Sequence, residues 1–151
     1  MPRIIVGDRA PDFTLQTETG ETISLAAALE RGPVVLIFYP MDNTPSCASQ
    51  LCSVRNDAAR YAEAGVTVYG INNGSASSHK HFIDRYDLTA PLLVDSNFKV
   101  ASAYDAVLPL GLLRVVNRTV VGIARDGTIV FYQRGTPSTD DILAALAAAK
   151  T

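Results

Sequence analysis

Short, unbroken apolar runs alternate along the chain with segments in which apolar residues recur every three or four positions. Residues 34–39 form a continuous run of β-branched and aromatic residues, which is typical of a strand covered on both faces. Further strands are predicted at residues 66–72 and 92–94. Helical spacing and start and stop signals predict helices over residues 24–31, 44–64, 75–86, 96–104 and 139–150. Strands that alternate with helices indicate a mostly parallel sheet with helices on both faces.

Two predicted hairpins flank this alternating region. Residues 12–15 and 22–24 lie on either side of a short segment that ends in Gly20, which can supply the positive φ of a turn. Residues 118–124 and 128–133 are joined by Asp126-Gly127, a typical hairpin turn. The second hairpin adds antiparallel strands to the sheet. The predicted fold class is therefore α/β: a thioredoxin-like fold with a mixed central sheet flanked by helices and an N-terminal β-hairpin.

Composition and charge narrow the class of protein. A chain of 151 residues with 48% hydrophobic and 19% charged residues suits a single domain over residues 1–151. The net charge of −2, with no basic stripe, gives nucleic-acid binding no electrostatic support. The apolar run at residues 34–39 is far shorter than the roughly 20 residues of a membrane-spanning helix, and the N-terminus shows no targeting pattern. We therefore expect a cytoplasmic protein with no membrane contact, as a monomer or weak dimer.

The two cysteines, Cys47 and Cys52, are too few for a disulfide scaffold. They fit a redox pair, half of a metal site, or core positions. Cys47 falls in the first turn of the helix predicted to start at Thr44-Pro45, directly after the strand at residues 34–39. Unpaired N–H groups give a helix start a partial positive charge, which favours a thiolate over a thiol. The position of Cys47 therefore favours a reactive cysteine.

A fast thiol enzyme also needs hydrogen-bond donors around its sulfur, because the nucleophilicity of a thiolate falls as it becomes less basic. Such donors stabilise the charge that develops on the departing oxygen. The Thr44 hydroxyl and the backbone N–H groups of Ser46 and Cys47 can supply some of them. Arg118, at the start of a later strand, is the candidate cation, with Arg114 as a weaker alternative.

The histidines offer a competing metal hypothesis. His79 and His81 form an H-x-H pair on a different predicted helix from the cysteines. The C-x4-C spacing of the cysteines is also wider than that of a usual zinc knuckle. We therefore interpret both histidines as part of a solvated helix face, and we expect no metal and no cofactor.

The string F-Y-P-x-D-N-T-P-x-C-x4-C at residues 38–52 resembles the active-site motif of the peroxiredoxins, in particular the bacterioferritin-comigratory or Q-type group. The resemblance extends over nearly the whole chain, through residues 7–13, 78–80 and 91–95 to Arg118-Thr119. Three positions depart from the usual pattern: Ser46, Gln50 and Asn56, where relatives often carry glycine or an acidic residue. None of the three departures replaces a residue that binds the peroxide in members of the family.

The resemblance implies a thiol-dependent peroxidase that reduces hydrogen peroxide and organic hydroperoxides. By this likeness Pro40, Thr44, Cys47 and Arg118 bind the hydroperoxide. The Cys47 thiolate would attack the peroxide and become a sulfenic acid. Thr44 and Arg118 would polarise the O–O bond, and Pro40 would shield the sulfenic acid from water.

The resemblance also assigns a role to the second cysteine. Cys52 stands where members of this group carry a resolving cysteine, so it would form a disulfide with Cys47 that thioredoxin or a similar dithiol reductant would reduce.

Tyr39 is interpreted either as strand packing or as a wall of the substrate pocket, and Ser46 is a further expected substrate contact.

Helix geometry adds a condition to that disulfide. Five residues on an intact helix place the Cα atoms of Cys47 and Cys52 about 8–9 Å apart, whereas disulfides rarely bridge Cα atoms more than about 7 Å apart. The start of the helix, over about residues 44–55, must therefore unwind before the two sulfurs can bond.

Two other functions compete with the peroxidase. A thioredoxin-like disulfide oxidoreductase would need C-x-x-C at the helix start, where this chain has C-x4-C. A non-catalytic redox-sensing or holdase protein could use the same fold.

Residues 106–116 form an unusually apolar segment. It fits core packing, a lining of the pocket for organic hydroperoxides, or a subunit contact.

Overall fold

The computed structural model describes residues 4–149, and the predicted elements occur in the predicted order, with one helix divided in two and one additional hairpin. The strands are β1 (Thr14–Thr17), β2 (Thr22–Ser24), β3 (Val34–Phe38), β4 (Thr67–Asn72), β5 (Leu92–Val94), β6 (Val107–Leu110), β7 (Leu113–Val116), β8 (Thr119–Ile123) and β9 (Ile129–Arg134). The helices are α1 (Leu25–Arg31), α2 (Pro45–Asn56), α3 (Ala58–Glu63), α4 (Ala76–Tyr86), α5 (Lys99–Ala103) and α6 (Thr139–Ala148). The predicted end of the last helix, at Lys150, lies outside the described residues.

Seven strands form one mixed sheet in the order β2-β1-β5-β4-β3-β8-β9. Strand β3 is parallel to β4 and antiparallel to β8, and β4 is parallel to β5. Both predicted hairpins are present, as β1–β2 and β8–β9. The predicted mixed sheet with an N-terminal hairpin is confirmed.

Strand β3 is buried on both faces, as its unbroken apolar run predicts. Val34, Leu36 and Phe38 belong to one hydrophobic cluster, which β8, β9 and α5 complete. Val35 and Ile37 belong to a second cluster on the other face, which includes residues of α2, α4 and α6. Successive strand side chains point to opposite faces, so one strand joins two cores. The residue that follows β3 is therefore held firmly in position.

The predicted single helix over residues 44–64 is wrong in one respect, because it is broken at Asp57. This residue has φ −100° and ψ 14°, and it separates α2 from α3. The Asp57 carboxylate accepts a hydrogen bond from the Thr139 hydroxyl at 2.5 Å, at the start of α6. Because apolar residues continue at helical spacing across the break, the sequence pattern does not reveal it.

Residues 106–116 form a small hairpin of β6 and β7, outside the main sheet. Only Ala106 and Val116, near its two ends, are fully buried. The exposed fractions of its four leucines lie between 43% and 105%. The core-packing interpretation of this segment is therefore wrong for its central residues.

Helix α5 is shorter than predicted and begins at Lys99 rather than near Ser96. Phe98 lies just before it with φ 57°, in the left-handed region. The carboxylate of Asp95 accepts hydrogen bonds from the N–H groups of Val100 and Ala101.

Within residues 4–149, no helix combines the length and apolar character needed to cross a bilayer.

Candidate active site

The loop between β3 and α2 leads directly to Cys47. Thr44 has extended backbone angles and is the N-cap of α2, and Pro45 occupies the first helical position, as the sequence predicts. Cys47 is the third residue of this helix and is 1% exposed. In this position the N–H groups of Ser46 and Cys47 have no carbonyl partner within the helix. The Cys47 sulfur therefore lies at the positive end of the α2 dipole.

Arg118 reaches this helix start from the neighbouring strand. Thr119 pairs with Phe38 across the antiparallel strands β8 and β3, so the residue before β8 lies beside the loop that follows β3. The Nη2 atom of Arg118 is 3.1 Å from the Cys47 sulfur and 3.2 Å from the Ser46 hydroxyl. Sheet register thus brings together two residues that are 71 positions apart.

A neutral side chain holds the Arg118 guanidinium in this position. Its Nη1 atom donates a hydrogen bond of 2.6 Å to the Gln50 side-chain carbonyl. The Gln50 amide nitrogen in turn donates to the backbone carbonyl of Gly135 at 3.4 Å, which orients the amide. Among the ion pairs between residues 4 and 149, none includes Arg118. Its positive charge is therefore directed at the sulfur without a carboxylate to neutralise it.

Three other expected site residues lie in the same segment. Thr44 precedes Cys47 by three positions, and its hydroxyl donates a long hydrogen bond of 3.4 Å to the Met41 carbonyl. Pro40 is partly buried in the loop. Ser46 is exposed beside Arg118. Two hydroxyls, those of Thr44 and Ser46, thus lie within three residues before Cys47 in the chain.

Tyr39 does not form the pocket wall that was one of its two interpretations. Its side chain is fully buried and packs against Phe82. Its hydroxyl donates a hydrogen bond of 2.6 Å to the Asp42 carboxylate. Burial, together with the nearby Asp42 charge, raises the pKa of Tyr39 well above its usual value. Tyr39 therefore acts in packing and in holding the loop.

Cys52 lies on the same helix as Cys47, and both are free thiols. It is partly buried against the apolar cluster beneath α2. The helix runs without interruption from Pro45 to Asn56, so the Cα atoms of the two cysteines are held about 8–9 Å apart. The reduced protein therefore keeps the two sulfurs out of bonding range, as predicted.

The site geometry is matched by similarity to known proteins. The AhpC/TSA family profile matches residues 6–134. The chain belongs to the AhpC/TSA family. A putative peroxiredoxin bcp of Coxiella burnetii is 35% identical over 130 residues, which cover 83% of this chain and 85% of that protein. The crystal structure of peroxidoxin BcpB from Mycobacterium tuberculosis superposes with a TM-score of 0.89 at 30% identity, covering 97% and 98% of the two chains.

These matches place the protein in the Q-type, or bcp, group of the peroxiredoxin family and confirm the thioredoxin-like fold. The chloroplastic peroxiredoxin Q of wheat is 42% identical over 98 residues, which cover 65% of this chain. The same match spans 45% of the wheat protein, so the similar region is less than half the length of that relative. The resemblance of the Cys47 motif to peroxiredoxins is therefore borne out at the level of the family.

Sequence reasoning misplaced His79 and left Arg114 open as a weaker alternative to Arg118. Arg114 is exposed, and its guanidinium lies 4.6 Å from the ring centre of Phe98, so it is not part of the group around Cys47. His79 is fully buried, whereas His81 is exposed as expected. The sequence did contain a signal that His79 is buried, because it lies three residues before Phe82, and residues at i and i+3 share one helix face.

Asp42 was also missed as a structural residue of this loop. It is 8% exposed, and its carboxylate makes a short contact with the His79 ring. Within residues 4–149, no three histidine, cysteine or acidic side chains are grouped so that they could hold a metal ion.

Proposed function

We propose that this protein is a thiol-dependent peroxidase that reduces hydrogen peroxide and organic hydroperoxides. The observation that carries the proposal is the 3.1 Å contact between the Arg118 guanidinium and the Cys47 sulfur at the start of α2. A helix N-terminus and an unneutralised guanidinium both favour the thiolate. Membership of the peroxiredoxin family supports the same chemistry.

In the first step the Cys47 thiolate attacks the terminal oxygen of the hydroperoxide. A sulfur–oxygen bond forms as the O–O bond breaks, and the departing oxygen takes a proton and leaves as water or an alcohol. The peroxide is reduced, and Cys47 is oxidised to a sulfenic acid. Arg118 and the hydroxyl of Thr44 would donate hydrogen bonds to the peroxide oxygens, where negative charge develops in the transition state.

The neighbouring residues would shape the peroxide site. Pro40 lies in the loop before α2 and would shield the sulfenic acid from bulk water. Ser46, which accepts a hydrogen bond from Arg118 at 3.2 Å, would keep the guanidinium over the sulfur. Tyr39 is assigned no contact with the peroxide because it is fully buried.

In the second step Cys52 would attack the Cys47 sulfenic acid, release water and form an intramolecular disulfide. A dithiol reductant of the thioredoxin type would then reduce this disulfide and restore both thiols. The proposal is tested by peroxide consumption coupled to a thioredoxin system. Turnover that depends on the dithiol supports the proposal, and absence of peroxide consumption by the fully reduced protein contradicts it.

Oxidation is expected to unwind the first part of α2. Treatment of the reduced protein with one equivalent of hydrogen peroxide should lower its mass by about 2 Da, because disulfide formation removes two hydrogen atoms. Hydrogen exchange over residues 44–55 should then become at least about tenfold faster, since the disulfide does not fit the intact helix. Hydrogen exchange followed by mass spectrometry measures both effects in one sample.

The matched control for this experiment is Cys52→Ser, which cannot form the internal disulfide. Its exchange over residues 44–55 should stay slow after one equivalent of peroxide. A confirmed Cys47–Cys52 disulfide in a protein whose α2 exchanges as slowly as before would contradict the unwinding.

Gln50→Glu is expected to lower kcat/KM for hydrogen peroxide by about three- to tenfold. The new carboxylate would lie at the position that now accepts the 2.6 Å hydrogen bond from Arg118, and it would offset about 1 kcal/mol of the guanidinium's attraction for the thiolate. Its second oxygen would also face the Gly135 carbonyl, where Gln50 now donates. Steady-state kinetics at several peroxide concentrations measure the change.

Gln133→Glu is the matched control, because it makes the same change of charge at an exposed position of β9. It should leave kcat/KM within about twofold of the parent, as an exposed charge is screened by salt. Equal kinetics for Gln50→Glu and the parent would show that the neutrality of residue 50 has no part in catalysis.

A further inference from the structure

A buried polar cluster lies behind the loop that carries the candidate active site. Asp42 is at its centre, and its carboxylate accepts hydrogen bonds from four side chains. The Tyr39 hydroxyl and the Asn72 amide bind Oδ1 at 2.6 and 3.3 Å, and the Ser78 hydroxyl and the His79 ring bind Oδ2 at 2.7 and 2.6 Å. These partners come from three different parts of the fold: the end of β3, the end of β4, and α4.

The hydrogen bonds define the protonation of this cluster. His79 is 0% exposed, and its Nε2 atom lies 2.9 Å from the backbone carbonyl of Leu93. A carbonyl only accepts, so Nε2 must carry a hydrogen. The other ring nitrogen, Nδ1, faces a carboxylate, which also only accepts when it is ionised. An ionised Asp42 therefore requires a second hydrogen on the ring, which would make the pair a carboxylate with an imidazolium.

The environment of Asp42 supports its ionised form. Burial raises the pKa of its carboxyl, but hydrogen bonds from His79, Ser78 and Tyr39 outweigh burial and lower the pKa below its usual value. Removing one partner from such a pair leaves an uncompensated buried charge, which is strongly unfavourable. Asp42 and His79 therefore act as a unit.

Other features show that the cluster constrains the loop tightly. Asn43, next to Asp42, has φ 64°, in the left-handed region that asparagine tolerates better than most residues. Gly74 packs directly against the pair, because a Cβ atom at this position would lie 3.0 Å from Asp42 Oδ2 and 3.1 Å from His79 Cε1. Asp42 is two residues from Thr44 and five from Cys47, so the cluster holds the loop directly before the start of α2.

We propose that Asp42 and His79 are positioning residues that fix the start of α2 in its peroxide-reactive form and oppose its unwinding. The inference rests on the proposed function, in which attack on peroxide needs the folded helix start and bonding of Cys47 to Cys52 needs it unwound. Loosening the pair should therefore slow the first step and accelerate the second. A merely structural role would not change the two rates in opposite directions.

Two replacements of His79 separate its two hydrogen bonds. His79→Asn can still donate from the position of Nδ1 to Asp42, whereas His79→Gln can reach only the position of Nε2 and loses the contact with Asp42. We expect His79→Gln to lower the second-order rate of Cys47 oxidation about tenfold, since small displacements of reacting groups have effects of this order or larger. Formation of the Cys47–Cys52 disulfide should become several-fold faster in the same variant.

The expected results for the companion variants complete the test. His79→Asn keeps a donor to Asp42 but not the positive charge, so it should restore part of the parent rates. His81→Gln, on the exposed face of the same helix, should leave both rates unchanged. Rapid-quench mass spectrometry separates the two steps. The proposal is overturned if both rates in His79→Gln stay within twofold of the parent, or if both fall together.

Measurements on the reduced parent protein keep the proposal testable if a variant does not fold. Nitrogen-15 NMR of the His79 ring should show hydrogens on both nitrogens at neutral pH, and a ring with one hydrogen would overturn the ion pair. Amide exchange over residues 48–52, the first hydrogen-bonded amides of α2, should be faster in His79→Gln than in His81→Gln. Neither the NMR nor the exchange measurement needs turnover. A parent protein that fails to consume peroxide would therefore refute the proposed function, and the role of Asp42 and His79 would still be decided by NMR and amide exchange.

Discussion

Cys47→Ser is expected to lower kcat/KM for hydrogen peroxide by at least about 10³-fold, because a hydroxyl is a far weaker nucleophile than a thiolate and the reaction has no other route. The substitution replaces one buried atom that contacts Arg118 at 3.1 Å, so the fold should be retained. Peroxide consumption, measured with a thioredoxin system in excess, reports the loss directly.

Cys52→Ser is the matched control for Cys47→Ser, because it makes the same atomic change five residues further along α2. It should keep the rate of the first oxidation within about twofold and lose only recycling through the internal disulfide. If Cys47→Ser kept most of the parent activity, or if Cys52→Ser lost the first oxidation, the roles assigned to the two cysteines would be wrong.

Arg118→Ala is expected to lower kcat/KM by about 10²- to 10³-fold, the usual effect of removing one donor that stabilises developing negative charge. The substitution removes the guanidinium that lies 3.1 Å from the Cys47 sulfur and binds Gln50 at 2.6 Å. It therefore removes both a donor to the peroxide and a charge that favours the thiolate. Single-turnover oxidation of the reduced protein isolates this effect from later steps.

Two further arginine variants make the test specific. Arg118→Lys keeps the positive charge but not the planar set of donors, so it should recover only part of the lost rate. Arg114→Ala, which removes an exposed guanidinium four residues earlier in the chain, should stay within about twofold of the parent. Loss of activity in Arg114→Ala equal to that in Arg118→Ala would mean that general surface charge, and not the contact with Cys47, is responsible.

The elements that place Cys47 could be predicted because their signals are local. The apolar run of β3 and the Thr44-Pro45 start of α2 each depend on a few adjacent residues, and both are present in the structure. Arg118 is different, because its approach to Cys47 depends on the register of two strands far apart in the chain. The family resemblance supplied that pairing, whereas residue spacing alone left Arg118 as one of two candidate arginines.

The features that were missed depend on tertiary contacts. The break at Asp57 coincides with a hydrogen bond to Thr139, 82 positions away, and nothing in the local pattern marks it. His79 was assigned to a solvated face because a histidine pair on a helix carries a weak signal, but its partners, Asp42 and Leu93, lie 37 and 14 positions away. Core packing was one of three interpretations of the leucines in residues 106–116, yet these leucines are exposed and their hairpin lies outside the main sheet.

The most direct test of the account is to identify the atom that peroxide oxidises first. Reduced Cys52→Ser protein would be treated with one equivalent of hydrogen peroxide, labelled with a reagent specific for sulfenic acids, and mapped by peptide mass spectrometry. Mapping is needed because the exposed Met41 also gains about 16 Da on oxidation. We predict rapid and nearly complete labelling at Cys47. When Arg118 is also replaced by alanine and the reaction is stopped after the same short interval, we predict no labelling at Cys47. An unlabelled Cys47, with oxygen found only on Met41, would contradict the account.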